Sequence, residues 1–245
     1  EPFKNLFTQG MVCHETYKDS DGNWISPNEI EKTTSSNAVK KSDNSQVVIG
    51  PSESMSKSKK NTIDPEISIK QYGADSVRWF ILSDSPPEKD VQWSDTGLIS
   101  SNKFLQKIWN LNQLILKKNE LIIEKEIEGN FESKIELFVY KIDTAINNFQ
   151  FNVAIALFYE VYKYINEATN SKISKKVLTS NMIKIMKLMM PFTPHLASEC
   201  LSNLNCKELN KWPTINTKAL DNIKINVAIQ INGKTREIIT VKKDL

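Results

Sequence analysis

The chain has 245 residues, of which 40% are hydrophobic and 25% charged, with a formal net charge of +3 at pH 7. This composition is ordinary for a soluble globular protein of one large or two modest domains, and no apolar run approaches a membrane span. No signal-peptide pattern opens the chain, and because its first residue is Glu1, we expect the natural N-terminus to lie elsewhere. Three scattered cysteines lack metal-site spacing and predict reduced thiols. The small positive charge permits a nucleic-acid partner only if the lysines cluster.

The first part of the chain is predicted to be rich in strands and loops. Residues 11–18 favour a strand, 19–22 a turn, and 23–25 a returning second strand. Residues 32–46 are rich in Ser, Thr, Asn and Lys, which predicts a flexible surface loop. A short apolar strand at 47–49 is predicted to end at the following Gly-Pro pair, directly before a run of Ser and Lys.

The middle of the chain is predicted to be helical. Asp64-Pro65 combines an N-cap with a proline at the first helical position, and Gly73 suits a helix end. Residues 74–82 are predicted as a buried helix, ended by the Pro86-Pro87 pair. The expected buried face of this helix consists of Val77, Phe80 and Ile81.

From residue 94 onward, apolar residues recur at helical spacing, which predicts several amphipathic helices joined into a bundle. The helical stretches are 94–116, 135–145, 151–165, 173–190 and 194–201. Alternating apolar residues from 225 to 231 and the turn signal Asn232-Gly233 then predict a β-hairpin. The expected fold class is therefore α+β, mostly α.

The run 54–61 reads Ser-Met-Ser-Lys-Ser-Lys-Lys-Asn and resembles the KMSKS loop of class I aminoacyl-tRNA synthetases. Such a short Ser/Lys run could also be an ordinary solvated loop, but its flanks favour the resemblance. The stretches 63–65 and 72–80 resemble those that follow this loop in the leucine, isoleucine and valine enzymes. Residues 1–12, 80–88, 91–95 and 227–236 are similar to the leucyl-tRNA synthetases in particular.

The resemblance implies three regions and one reaction. Residues 1–93 would be the C-terminal part of a Rossmann-type catalytic domain, 94–220 a helical tRNA-binding bundle of the anticodon-binding type, and 221–245 the start of a truncated C-terminal domain. The whole enzyme would convert leucine and ATP to leucyl-adenylate and transfer leucine to tRNA(Leu). The implied substrates are ATP with Mg²⁺, leucine and tRNA(Leu). We expect no metal site in this chain, no membrane association, a monomeric enzyme and a cytoplasmic location.

The resemblance also assigns residues to roles in the loop. Adenylation expels pyrophosphate, so an ammonium group and small hydroxyls on a mobile loop can follow the growing negative charge. The implied catalytic residues are Lys57, Ser56 and Ser58. The implied ATP-binding residues are Met55, Lys57, Lys59 and Lys60. Ser54 departs from the family pattern, which usually has a lysine there, and Lys59 or Lys60 could partly substitute for the missing charge.

Other candidate residues favour structural roles. His14 does not belong to an HIGH signature, the family's second motif, and His195 near a helix start predicts a hydrogen-bonding role. Arg78 is expected to form an ion pair. Three tryptophans, Trp93, Trp109 and Trp212, are predicted to pack in the core rather than to stack on bases. A basic face toward RNA is predicted from Lys163, Lys172, Lys175, Lys176, Lys184 and Lys187.

Two alternative interpretations of the chain stay open on sequence alone. One is a fragment of an isoleucyl- or valyl-tRNA synthetase, which the stretches 1–12 and 227–236 disfavour. The other is a non-catalytic tRNA-binding module in which the loop is a relic. Because the chain contains no HIGH signature, we expect the isolated chain to be inactive.

Overall fold

A computed structural model of the chain describes residues 2, 6–34, 36–119, 123–216 and 224–242. The chain divides into two compact units, Glu1–Phe104 and Leu105–Leu245. None of the helices in the described ranges is both long and apolar enough to cross a membrane. The mixed α+β class, mostly helical, is confirmed.

The first unit begins with a five-stranded sheet in the order β2-β3-β4-β1-β5. Its strands are β1 (Val12–Lys18), β2 (Ile30–Lys32), β3 (Ala38–Lys40), β4 (Gln46–Ser54) and β5 (Val91–Gln92). β1 pairs antiparallel with β4 and parallel with β5. The side chains that share the small core of this sheet are Tyr17, Ile25, Ile30, Ala38 and Val47.

The predictions for residues 23–25 and 32–46 are only partly right. Residues 23–25 return beside β1, where the Ile25 amide donates to the Tyr17 carbonyl at 2.9 Å, but they form an isolated bridge, Trp24 with Lys18, rather than a strand. The stretch 32–46 is not merely a surface loop, since it contains β3, whose first residue, Ala38, is fully buried. One small apolar residue in a polar stretch is a weak sequence signal, and pairing with β2 and β4 is what orders the strand.

β4 continues through the Gly50-Pro51 pair instead of ending there. The register of β1 against β4 shifts between Glu15 and Tyr17, which marks a bulge or irregularity. At this point the Thr16 hydroxyl donates a hydrogen bond to the Pro51 carbonyl at 3.0 Å. A Cβ atom on Gly50 would lie only 2.5 Å from the Thr16 Oγ1, so the absent side chain permits the close approach. The irregular pairing therefore accommodates the proline and carries the strand to Ser54.

Two short helices follow, α1 (Pro65–Tyr72) and α2 (Ala74–Asp84). As predicted, the Asp64 side chain caps α1 by accepting from the Glu66 amide at 2.9 Å, and Gly73 ends the helix at φ 83°. The predicted buried face of α2 is largely wrong: Phe80 is buried, but Val77 and Ile81 are only partly so. The buried residues of α2 are Asp75, Ser76, Trp79 and Phe80.

Aromatic packing explains the rotation of the buried face of α2. The ring of Trp79 packs against Phe104 with centroids 5.3 Å apart, and Phe80 meets Trp93 edge-on at 5.5 Å. Large rings bury more apolar area than Val or Ile, so they determine which side of the helix faces inward.

The long helix α3 (Asp95–Lys117) contains the division between the two units. The four predicted helices that follow it are present, although the one predicted at 135–145 begins ten residues earlier. They are α4 (Lys125–Asn147), α5 (Phe151–Ala168), α6 (Lys175–Met189) and α7 (Pro194–Asn203). Phe158 on α5 is fully buried and meets Phe192 edge-on at 5.5 Å. The Ser174 side chain caps α6 by accepting from the Val177 amide at 3.3 Å.

The predicted hairpin is also confirmed, as β6 (Lys224–Ile231) paired antiparallel with β7 (Lys234–Lys242). Asn232 and Gly233 at its turn have φ values of 53° and 74°. Two successive positive φ values are what a type I′ hairpin turn requires, and Asn-Gly is its preferred sequence.

Candidate functional site

The Ser/Lys loop leaves the sheet at the end of β4, beside the start of β1. Cys13 on β1 lies opposite Ser54, and His14 lies opposite Glu53. The Met55 amide then donates to the Val12 carbonyl at 3.0 Å, which extends the pairing one residue past the strand. The loop is therefore attached to two strands at its first residue.

Asn61, at the other end of the loop, is fully buried and holds the two ends together. Its side-chain oxygen accepts from the Ser56 amide at 2.8 Å. Its amide nitrogen lies within hydrogen-bond reach of three carbonyl oxygens, those of His14 at 3.2 Å, Glu53 at 3.1 Å and Ser54 at 3.4 Å. Sequence reasoning assigned no role to Asn61, because an asparagine in a polar run carries no sign of its burial.

Between these ends the chain makes a compact turn. The Lys60 amide donates to the Lys57 carbonyl at 3.2 Å, and Lys60 itself has a positive φ of 53°. The Ser56 hydroxyl accepts from the Lys59 amide at 3.3 Å and lies 3.3 Å from the Ser58 hydroxyl. The two predicted catalytic serines thus lie together, with Ser56 also serving as an internal brace.

The lysines of the loop differ in their surroundings. Lys57 and Lys60 are exposed, and across the described ranges neither ammonium forms a hydrogen bond or an ion pair. Lys59 instead forms an ion pair with Glu53 on β4, and both side chains are about one-third exposed. Lys57 is therefore available to an anionic ligand, whereas Lys59 would first have to break its ion pair with Glu53.

Ser54 offers a hydroxyl where the family pattern has an ammonium. Its side chain is exposed, and its Oγ lies 3.9 Å from the buried Cys13 sulfur. The backbone of Ser54 is nevertheless well held, because it pairs with Cys13 and its carbonyl faces the Asn61 amide. The position is ordered but supplies no charge.

A cleft of about 760 Å³ lies on the same unit, and His14, Ser52, Asp64 and Trp93 are among its lining residues. Residues 55–60 are not among the described residues that line it. At its wall Glu15 accepts hydrogen bonds from Lys32 and from the Tyr17 hydroxyl.

Neither Glu15 nor Tyr17 is set to exchange a proton near neutral pH. Burial alone would raise the pKa of Glu15, but the hydrogen bonds from Lys32 and Tyr17 outweigh it and lower that pKa. Burial, followed by the Glu15 carboxylate, raises the pKa of Tyr17. These shifts keep the carboxylate ionised and the phenol protonated, which argues against acid–base catalysis by this pair. Across the described ranges, no group of three or more His, Cys, Asp or Glu side chains could hold a metal ion.

The predicted core tryptophans are only partly confirmed. Trp93 and Trp109 are partly buried, and the Trp93 ring nitrogen donates to Asp95 at 2.9 Å. Trp212 is 42% exposed and donates to Asp143 at 2.6 Å, so its assignment to the core is wrong. His195 is exposed near the start of α7.

Most lysines of the predicted basic face are ion-paired, hydrogen-bonded or buried, and contact of this face with RNA stays a prediction. Lys172 pairs with Glu124, Lys184 pairs with the buried Glu136, and Lys175 donates to the Leu116 carbonyl at 2.6 Å. Lys187 is buried. Of the six lysines, Lys163 and Lys176 are the exposed ones with no ion pair in the part of the chain described. Sequence spacing could not reveal these partners, since each lies far away in the chain.

Two family models match this chain, one over the segment with the Ser/Lys loop and one over most of the helical unit and the last hairpin. Residues 44–94 match class I tRNA synthetases of the isoleucine, leucine, methionine and valine group, and residues 128–245 match the anticodon-binding domain of tRNA ligases. A solved LeuRS from Agrobacterium radiobacter K84, in a complex with tRNA and LeuAMS, superposes with a TM-score of 0.66 at 28% identity. That match covers 79% of this chain and 26% of the other. A methionyl-tRNA synthetase from Mycobacterium tuberculosis shares the fold, with a TM-score of 0.52 over 60% of this chain and 35% of its own, at 18% identity.

Sequence relatives extend over nearly the whole chain. A leucine-tRNA ligase from Zymomonas mobilis is 36% identical over 100% of this chain, and one from Bartonella quintana is 41% identical over 98%. The chain spans only 28% and 29% of the lengths of these two proteins. Relatives that are leucine ligases disfavour the isoleucyl and valyl alternative. The chain belongs to the class I aminoacyl-tRNA synthetase family and, within it, to the leucyl-tRNA synthetases.

Proposed function

We propose that this chain supplies the phosphate-facing loop and tRNA-binding helices of a leucine-tRNA ligase. The observation that carries the proposal is the state of Lys57: an exposed ammonium without a partner in the described part of the chain, on a turn whose two ends are held by a buried asparagine. A free cation on an anchored loop is what a reaction that expels pyrophosphate needs.

The proposed chemistry is the attack of the leucine carboxylate on the α-phosphate of ATP, with Mg²⁺ accompanying the nucleotide as substrate. The bond to the leaving pyrophosphate breaks, and negative charge grows on its oxygens. Lys57 is proposed to hydrogen-bond those oxygens, and the Ser56 and Ser58 hydroxyls, 3.3 Å apart, to donate beside it. Met55 would contact the nucleotide as the partly buried residue that precedes the turn.

Lys60 and Lys59 are proposed to bind ATP with unequal ease. Lys60 is exposed and can approach a phosphate directly. Lys59 would have to exchange the Glu53 carboxylate for a phosphate, so its contribution is reduced by the ion pair that it gives up. The charge missing at Ser54 is therefore replaced more readily by Lys60 than by Lys59.

The proposal extends to the rest of the chain and to its partners. Residues 1–93 would complete a Rossmann-type catalytic domain, 94–220 would bind tRNA(Leu), and 221–245 would begin a C-terminal domain. The enzyme that contains this chain would be a cytoplasmic monomer. A non-catalytic tRNA-binding module is the competing function, and the experiment below distinguishes it.

The proposed function predicts activity only when the chain is part of a complete enzyme. We expect no leucine-dependent ATP–pyrophosphate exchange from the 245-residue chain, because the HIGH half of the nucleotide site is not in its sequence. In a chimera, the chain replaces the matching segment of the Zymomonas mobilis ligase, 28% of that protein, and exchange is expected. Exchange by the chain alone well above a Lys57→Ala control would contradict the expected inactivity. A folded chimera that binds tRNA(Leu) without exchange would favour the binding module.

The helical unit is expected to bind tRNA weakly and in a salt-sensitive manner, through Lys163 and Lys176 rather than through six lysines. Replacing both by alanine should weaken binding and lower the slope of log affinity against log salt by about one for each phosphate that is no longer neutralised. Lys172→Ala is the matched control, since Lys172 already pairs with Glu124. Fluorescence titration with tRNA at several salt concentrations measures these slopes. An equal loss in the control would contradict this assignment.

A further inference from the structure

We propose that Asn61 is a positioning residue for Lys57, and this inference rests on the proposed function of the loop. The observation behind it is that one buried side chain contacts both strands that carry the loop and also the first turn of the loop itself. The contacted backbone groups belong to His14 on β1, to Glu53 and Ser54 on β4, and to Ser56.

The chemistry of the carboxamide explains why asparagine suits this point. Its oxygen accepts from the Ser56 amide, while its nitrogen faces three carbonyl oxygens at 3.1–3.4 Å. A carboxylate of the same size would keep the acceptor but repel the carbonyls, and alanine would supply neither function. Because Asn61 is fully buried, water cannot readily take over these hydrogen bonds.

The geometry of the loop shows what the anchor does for Lys57. The Asn61–Ser56 hydrogen bond closes a ring that spans the five-residue interval, with Lys57 directly beside its fixed end. Inside the ring the exposed residues Lys57, Ser58 and Lys60 have only local turn contacts. The loop thus has a base held by hydrogen bonds and a short tip, so Asn61 limits where the backbone of Lys57 can carry its ammonium. Restricting a catalytic group in this way reduces the conformational entropy that is lost when the group is ordered in the transition state.

The first test measures the anchor itself in the 245-residue chain by amide hydrogen exchange. In Asn61→Ala, the Ser56 amide loses its acceptor, and we expect its exchange to quicken by about tenfold or more. The exchange of the Phe158 amide in α5 should not change. Thr62→Ala is the matched control, because Thr62 is the exposed neighbour of Asn61. Unchanged exchange at Ser56 in a folded Asn61→Ala chain would overturn the proposal.

The second test asks whether Asn61 acts through Lys57, with a double-mutant cycle in the Zymomonas mobilis chimera. Asn61→Ala should lower kcat for pyrophosphate exchange by about tenfold or more, with a smaller change in KM for ATP. The Lys57→Ala/Asn61→Ala variant should have a kcat within about threefold of that of Lys57→Ala alone. If Asn61 acts by positioning Lys57, its removal has little further effect once Lys57 is gone. If Asn61→Ala does not fold, Asn61→Asp replaces it in the cycle.

The outcomes of the cycle separate the two proposals. Losses that multiply in the double variant would give Asn61 a merely structural role and overturn this inference, while the proposed function would stand. A Lys57→Ala chimera as active as the parent would instead overturn the proposed function, and the positioning role with it.

Discussion

Lys57→Ala is expected to slow adenylation in the chimera by roughly ten- to a few-hundredfold, because a charge-assisted hydrogen bond contributes about 1.5–3 kcal/mol and each 1.4 kcal/mol is a factor of ten. The structure supports a large effect, since the Lys57 ammonium is exposed and forms no ion pair within the described ranges that would compete for it. The affinity for ATP in the ground state should fall less, because the interaction tightens as pyrophosphate leaves. Pre-steady-state rates of leucyl-adenylate formation measure both quantities.

Variants at Ser54 and Lys59 serve as controls for the Lys57 result. Ser54→Ala removes no charge and should cost much less than Lys57→Ala, while Ser54→Lys should leave the rate equal or raise it. Lys59→Ala should also cost less, because Lys59 is held by Glu53. Equal losses for Ser54→Ala and Lys57→Ala would show that the main phosphate contact has been assigned to the wrong residue.

Phe158→Ala is expected to destabilise the helical unit by about 3–5 kcal/mol, the usual cost of removing a buried aromatic side chain and leaving a cavity. Phe158 is fully buried on α5, and its ring meets Phe192 edge-on. Phe192 in turn contacts Phe151 at 5.9 Å, so the substitution interrupts a row of aromatic rings. Denaturant unfolding followed by the helical circular dichroism signal measures the loss. Since domains are stable by only about 5–15 kcal/mol, the variant should be close to unfolding at physiological temperature.

Tyr159→Ala is the matched control for Phe158, because Tyr159 is the next residue on the same helix but is 42% exposed. Its effect should stay within about 0.5–1 kcal/mol, as is usual for exposed positions. Phe158→Leu should lie between the two, since leucine refills part of the cavity. If the two alanine variants were equally destabilised, Phe158 would not occupy the centre of this core.

Local signals in the sequence were sufficient for the helices and for the last hairpin. The Asp64 cap, the Gly73 stop and the Asn232-Gly233 turn each depend on the conformational preference of a single residue or pair, and the structure has all three where they were predicted. The periodicity of apolar residues likewise located the five long and medium helices, because each helix must bury one stripe wherever its neighbours lie. The resemblance of the Ser/Lys loop to a known family motif was also readable without a fold.

Local sequence patterns gave wrong predictions where the burial or the pairing of a residue depends on partners far away in the chain. Ala38 is buried because its short strand pairs between β2 and β4, and the exposed Trp212 donates to Asp143 on α4 instead of packing in the core. The spacing of the bundle lysines could not show that Glu124 and Glu136 would neutralise two of them. In each case the deciding interaction joins residues far apart in the chain.

The functional loop shows the same division. Sequence alone determined the residue types of the loop, and therefore the positive charge and hydroxyls that suit a departing pyrophosphate. Only the tertiary structure decided which of the lysines is free, because Glu53 reaches Lys59 from β4 and leaves Lys57 exposed. It also decided that Asn61 anchors the loop, since the three carbonyls it faces come together only when β1 pairs with β4. Composition specifies the charges of a site, whereas packing specifies which of them are available and how firmly they are held.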